Sequence, residues 1–204
     1  MPAAAVRRPI RIVLTGGPGG GKTTAADLFR REIGSRAALV PEAATLLYGG
    51  GFPRPVDPEG RRALQSAIYH VQANLEDVQA RLHPDRILIC DRGTIDGAAY
   101  WPEGDGAFYD AVGTTEAAEL ARYDAVIFFE TAAAGGGSIE GNNPTRTENA
   151  EQAIAIDRAL REVWRRHPRF VMVPHDPSFF KKITFGLASI ESLVTQLLDA
   201  RGDA

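Results

Sequence analysis

The chain has 204 residues, enough for one α/β domain with a buried core, and we expect a single domain over residues 1–204. Apolar residues make up 44% and charged residues 24%, as in globular proteins, and the net charge of −3 gives no basic excess, which argues against a nucleic-acid partner. The N-terminal residues contain no long apolar run, so we expect no signal peptide, no transmembrane segment and a cytoplasmic location.

The sequence is organised around a glycine-rich segment between a predicted strand at residues 10–14 and a predicted helix at residues 25–33. The segment fits the phosphate-loop pattern G-x-x-x-x-G-K-[ST] at every fixed position. Glycines let successive backbone N–H groups turn toward phosphates, the lysine reaches the β- and γ-phosphates, and the following hydroxyl binds Mg²⁺. The pattern therefore predicts ATP or GTP binding with Mg²⁺. The predicted nucleotide-binding residues are Gly16, Gly17, Gly19, Gly20, Gly21, Lys22, Thr23 and Thr24.

A carboxylate, Glu42, follows the second predicted strand at residues 37–40. In an open parallel sheet the carboxyl ends of the strands line the ligand crevice, so we expect Glu42 near the phosphates. It is then a general base or a residue that orients the hydroxyl of a phosphoryl acceptor. The alternative is an acid at a helix N-terminus, favoured by the helix dipole.

A glycine- and proline-rich loop at residues 49–58 leads into a long predicted helix, with Asp57 as N-cap and Pro58 at the first helical position. Apolar residues recur in steps of three and four along this helix, which predicts one buried stripe. The stripe consists of Leu64, Ile68, Val71, Leu75, Val78 and Leu82.

The third predicted strand, at residues 86–90, leads into Asp91-Arg92-Gly93. An acid directly after an apolar strand is the Walker B arrangement, so Asp91 is expected to hold Mg²⁺ together with Thr23; a simple turn former is the alternative. Arg92 is expected to contact the transferred phosphate or the acceptor, or else to form a structural ion pair. Tyr100 is a candidate wall of an acceptor pocket, although aromatic residues here are also typical of a core.

Beyond a fourth predicted strand at residues 123–130, the small residues 132–137 predict a flexible segment that continues as a loop, and we expect no core contribution from residues 131–143. Arg146 follows, and we predict a lid at about residues 131–149 that brings this cation to the transferring phosphate; a surface loop is the alternative. A fifth strand at residues 169–174 and a last amphipathic helix complete the chain. This order predicts an α/β fold in which a five-stranded parallel sheet carries helices on both faces.

The phosphate loop, Glu42, the Asp91-Arg92-Gly93 segment and Arg146 together resemble a small AAA-type P-loop ATPase/kinase-like family. This family is related to the nicotinamide-riboside kinase domain of the NAD regulator and to translocation-defect GTP-binding proteins. The resemblance implies a P-loop NTPase fold of the nucleoside/nucleotide-kinase type with a flexible lid. The lid here lacks the aromatic residue that the family's pattern includes. Further positions that match the family's pattern are Gln65, Gln72, Glu76, Asp96, Tyr100 and Asn143.

Two functions follow from these residues. The first is a Mg²⁺-dependent kinase that moves the γ-phosphate to a small-molecule hydroxyl, nucleoside-like or another metabolite, with Lys22, Arg92 and Arg146 stabilising the moving charge. Gln65 or Gln72 would hydrogen-bond this acceptor. The second is an ATP- or GTP-dependent switch that regulates a protein or phosphoinositide partner.

Overall fold

The computed structural model describes residues 8–136 and 149–202. Five parallel strands form one sheet in the order β2-β3-β1-β4-β5, which confirms the predicted sheet. Strand β1 is central, with β2 and β3 on one side of it and β4 and β5 on the other. The strand order therefore reverses at β1, and ligands bind at such a point, outside the carboxyl ends of the strands, in open α/β sheets. The strands are β1 (Arg11–Thr15), β2 (Ala37–Val40), β3 (Ile87–Asp91), β4 (Ala125–Phe129) and β5 (Phe170–Val173).

Helices cover both faces of the sheet. Residues alternate along each buried strand, so Ile12 and Leu14 pack with α1 and α7, while Val13 packs on the opposite face with residues of α3, α4 and α6. The helices in the described ranges are α1 (Lys22–Ile33), α2 (Ala43–Gly49), α3 (Pro58–Leu82), α4 (Asp105–Val112), α5 (Glu116–Leu120), α6 (Ala150–Trp164) and α7 (Phe179–Arg201). None of these helices combines the length and the hydropathy that crossing a bilayer requires.

The predicted apolar stripe of α3 is wrong in its C-terminal half. Val78 and Leu82 are 51% and 65% exposed, whereas Gln72 and Glu76 are 1% and 0% exposed. Glu76 accepts hydrogen bonds from Arg11, Arg122 and Tyr123, and these partners make its burial possible. The inner face of α3 therefore includes the polar residues Gln72 and Glu76 beside Leu75, which packs on the core, while Val78 and Leu82 face solvent.

The described part of the predicted lid also departs from expectation. Thr131 and Ala133 are buried, and Ala132–Gly135 form a 3₁₀ turn that packs against Ala153 of α6. Small side chains allow this close approach, so the prediction that this segment adds nothing to the core is wrong for residues 131–133, whereas residues 134–136 are exposed. The rest of the lid, with Arg146, lies outside the described residues.

Candidate functional site

The phosphate loop runs from the end of β1 into the first turn of α1. Gly16, Gly19 and Gly21 have φ values of 131°, 77° and 87°, a region that favours glycine. Gly16 also lies against β4, because a Cβ atom there would come within 2.0 Å of the Phe129 carbonyl oxygen. The glycines thus allow both the curl of the loop and its close approach to the sheet, and the loop ends at the N-terminus of a helix, where backbone N–H groups favour anions.

Lys22 begins α1 and lies inside this loop. Its side chain is buried, and Nζ donates a hydrogen bond to the Gly17 carbonyl oxygen at 2.8 Å. Burial, reinforced by the like charge of Arg92, lowers the pKa of Lys22 to about 7. An arriving phosphate would add negative charge beside this ammonium and raise its pKa.

A carboxylate from α6, Asp157, holds the loop in place. Its Oδ1 accepts hydrogen bonds from the backbone N–H of Gly17 at 2.9 Å and from that of Thr131 at 2.8 Å. The Thr131 hydroxyl in turn donates to the Pro18 carbonyl oxygen. Sequence reasoning missed Asp157, although a carboxylate beside the apolar positions of α6 is a signal that a buried polar contact exists there.

Thr23 and Asp91 meet as the Walker pattern predicts. The Thr23 hydroxyl donates to Asp91 Oδ2 at 3.0 Å, while the buried Asp91 Oδ1 has no hydrogen-bond partner within the described part of the chain. Burial, reinforced by the Glu42 carboxylate, raises the pKa of Asp91 to about 6. A hydroxyl beside a carboxylate with a free oxygen fits Mg²⁺, which binds one or two carboxylates plus substrate phosphates.

Arg92 lies at the centre of an ion-pair cluster. Its Nε donates to Glu42 at 3.2 Å, and one terminal nitrogen donates to Asp96 at 2.9 Å and to the Gly16 carbonyl oxygen at 3.0 Å. Arg92 therefore forms the structural ion pair that was one of its two interpretations, and its contact with the transferred phosphate or the acceptor stays a prediction. Among the described residues, Arg92 is the one non-glycine residue with positive φ, 74°, which marks local backbone strain.

The contact with Arg92 favours the ionised form of the Glu42 carboxylate. Burial alone would raise its pKa, but the Arg92 guanidinium and a hydrogen bond from Thr45 lower the pKa below its ordinary value. Glu42 is also the N-cap residue of α2, but its side chain makes no capping hydrogen bond. The site therefore presents a charged carboxylate, oriented by an arginine, beside the phosphate loop.

Asp96 joins three elements around Arg92. Besides the Arg92 contact, its carboxylate accepts hydrogen bonds from the Thr15 hydroxyl at the end of β1 and from Trp164 Nε1 of α6. Each oxygen is thus occupied, which makes Asp96 a residue that positions Arg92.

A cavity of about 750 Å³ adjoins the phosphate loop. Its wall includes Lys22 and Thr23 on one side and Gln65, Gln72 and Tyr100 further away. The predicted acceptor residues therefore share one cavity with the phosphate loop.

The two glutamines differ within it. The Gln72 amide bridges the Ala43 N–H and the Arg92 carbonyl oxygen, so it braces α2 against Arg92. Gln65 makes no side-chain hydrogen bond to another described residue, so its amide remains available to a ligand.

The structure thus brings Lys22 and Thr23 onto one cavity with all the residues selected for the acceptor, and it places Asp91 beside Thr23. Arg146 lies outside the described residues, and its role stays a prediction.

The sequence model of the family described as AAA domain matches residues 11–179. Among solved structures, a crystal structure of the NadR protein in complex with NAD and AMP-PNP aligns with a TM-score of 0.60 at 14% sequence identity. The alignment covers 91% of this chain and 49% of that chain, so this chain spans about half the length of that protein. No curated protein sequence matches the chain. The structural likeness establishes the P-loop NTPase fold.

Proposed function

Because this chain belongs to the AAA-domain family, of P-loop, kinase-like character, and has a nucleotide-binding loop, we propose that it is a Mg²⁺-dependent phosphotransferase. It would move the γ-phosphate of a nucleoside triphosphate to a hydroxyl of a small molecule. One observation carries this proposal: a single cavity of about 750 Å³ extends from Lys22 and Thr23 past Glu42 and Arg92. A protein that only senses nucleotide has no need of a second ligand chamber beside the γ-phosphate position.

The loop residues and α1 would bind the triphosphate. Backbone N–H groups of the loop and the Lys22 ammonium would stabilise negative charge on the β- and γ-phosphates. Thr23 and Asp91 would hold Mg²⁺, which neutralises charge on the bridging phosphate oxygens when bound. The AMP-PNP bound by NadR is an ATP analogue, which supports ATP as the first co-substrate to test and GTP as the second.

Glu42 would orient the acceptor hydroxyl. Its lowered pKa makes it a weak base, which suits phosphoryl transfer because the transition state is loose and demands little early proton removal. Arg92 would fix this carboxylate and add positive charge near the loop. Arg146 would bring a further cation from the proposed lid at about residues 131–149.

The test is acceptor-dependent formation of ADP. The protein is incubated with Mg²⁺, ATP and pools of nucleosides, pyridine ribosides and other hydroxyl metabolites, and ADP and phosphorylated products are measured. We expect one pool to raise ADP formation and Lys22→Ala to abolish the rise, whereas Lys181→Ala, at an exposed position of α7, leaves it unchanged. Tight nucleotide binding without any acceptor dependence would refute the phosphotransferase and favour a nucleotide-dependent switch.

A further inference from the structure

The far wall of the cavity is a built surface formed by α2, the loop that follows it and the start of α3. Three backbone hydrogen bonds tie the loop back to α2, from Gly50, Gly51 and Phe52. At its other end Pro55 packs against α3, where a Cβ atom on Gly60 would lie 2.3 Å from the Pro55 Cβ atom. The loop therefore has a defined position on the cavity.

This wall carries two arginines that the proposed transfer chemistry does not use. Arg54 and Arg61 both line the cavity, and the Arg54 guanidinium stacks on the Tyr48 ring at 3.7 Å from its centroid. No ion pair joins either arginine to a carboxylate within residues 8–136 and 149–202, whereas the adjacent Arg62 pairs with Glu103. Stacking restrains the Arg54 guanidinium and leaves its N–H edge for a ligand.

Among the residues that the structure describes, those that line the cavity carry a positive charge balance, although the chain has a net charge of −3. Glu42 and Asp96 are both engaged by Arg92, so they do not neutralise the far wall. The charged residues that line the cavity are Lys22, Arg54, Arg61 and Arg92 on the basic side, and Glu42 and Asp96 on the acidic side. Arg54 and Arg61 thus remain as an uncompensated pair of positive charges.

A phosphate monoester matches this pair best. It carries a charge of roughly −1.5 to −2 at neutral pH, which balances two guanidinium groups, and arginine binds phosphate oxygens through paired N–H donors. We propose that the acceptor is a small, soluble hydroxyl compound that carries a phosphate monoester. Arg54 and Arg61 hold the ester while the hydroxyl lies at Glu42. This inference rests on the proposed phosphotransferase and specifies its substrate class.

The experiment compares matched ligands that differ only in the ester. Binding of ribose and ribose 5-phosphate, and of glycerol and glycerol 3-phosphate, is measured by calorimetry to the protein loaded with Mg²⁺ and AMP-PNP. We expect each ester to bind at least about tenfold more tightly than its neutral partner, because charge-assisted hydrogen bonds to arginine are strong. The double variant Arg54→Gln, Arg61→Gln should lose this advantage. Arg81→Gln, an exposed change near the other end of α3, should keep it.

Three results would each overturn the inference: the ester and its neutral partner bind equally, neither ester binds, or the tighter binding of the ester persists in the double variant. A further arm uses vesicles of phosphatidylcholine with and without a phosphatidylinositol monophosphate. Binding to the latter vesicles that depends on Arg54 and Arg61, without binding of the soluble esters, would overturn a soluble acceptor.

The same variants separate this inference from the proposed function. If a neutral acceptor stimulates ADP formation equally in the original protein and in the double variant, the proposed phosphotransferase is supported and a phosphate-ester acceptor is refuted. If ester binding depends on the two arginines but no ester tested stimulates ADP formation from ATP, the anion site is supported and the transfer reaction is refuted.

Discussion

Replacing Asp91 by Asn should stabilise the metal-free protein and impair its use of Mg²⁺. The substitution removes the charge but keeps an oxygen that accepts the hydrogen bond from the Thr23 hydroxyl. Buried beside Glu42, the Asp91 carboxylate has its pKa raised from 3.8 to about 6. The folded state therefore resists ionisation of this group more than the unfolded state does.

The size of the effect follows from that shift. At about 1.4 kcal/mol per pKa unit, the ionised carboxylate costs the metal-free folded state roughly 3 kcal/mol above about pH 6. Below about pH 3 the group is protonated in both states and the cost vanishes, so the stability of the folded state falls as pH rises from about 3 to about 6. Neutralising Asp91 also deprives Lys22 of a counter-charge, which offsets part of the gain. We therefore expect a net gain of about 1–3 kcal/mol at about pH 8.

Thermal unfolding followed by circular dichroism in EDTA measures this gain. For a domain of this size it corresponds to a rise in Tm of roughly 3–10 °C at about pH 8, with almost none at about pH 3. Asp27→Asn, an exposed change on the same helix as Thr23, is the matched control and should leave Tm nearly unchanged. In parallel, Asp91→Asn should abolish the increase in ATP affinity that Mg²⁺ produces. A gain that does not depend on pH, or an unchanged Mg²⁺ effect, would refute the reasoning.

Three further predictions test the parts around this pair. Nucleotide affinity should fall as pH rises above about 7, because Lys22 must take up a proton to face the phosphates. Calorimetry in two buffers of different ionisation enthalpy measures this proton uptake, and binding without proton uptake at about pH 8 would contradict the prediction. Asp157→Ala leaves two backbone N–H groups without an acceptor, so it should lower the free energy of unfolding in urea by about 3 kcal/mol and weaken nucleotide binding. Undiminished nucleotide affinity would contradict the role of Asp157 in holding the phosphate loop. Glu76→Ala removes the buried carboxylate that Arg11 and Arg122 share and should cost about 3–5 kcal/mol, whereas the exposed control Glu151→Ala should cost little; equal urea midpoints for the two variants would refute this.

The sequence predicted the architecture because its signals are local. Each strand is a short apolar run, and the last helix repeats apolar residues at helical spacing, with Ile183, Ile190 and Val194 buried as expected. The phosphate loop is also local, since its glycines, lysine and hydroxyl are consecutive and their geometry follows from the backbone of one turn. The meeting of Thr23 with Asp91 followed because the phosphate loop that leads to Thr23 starts at the carboxyl end of β1, and Asp91 ends the neighbouring parallel strand β3.

The residues buried on the inner face of α3 could not be predicted from local apolar spacing. Apolar spacing favoured Val78 and Leu82, but Glu76 is buried because Arg11 comes from β1 and Arg122 from the segment before β4. A charged side chain is stable inside a protein only when partners reach it, and helical spacing says nothing about partners that lie far along the chain.

What the sequence by itself determined is that this chain has a phosphate loop and a parallel sheet to carry it, and it predicted that Thr23 and Asp91 hold a metal ion. What only the tertiary structure decided is how the site is held and what lies opposite the loop. Asp157 reaches Gly17 across 140 residues, and Arg54 and Arg61 share a cavity with Lys22. Such contacts depend on the packing of distant elements, where each buried N–H group must find an acceptor, and no local pattern encodes those distances.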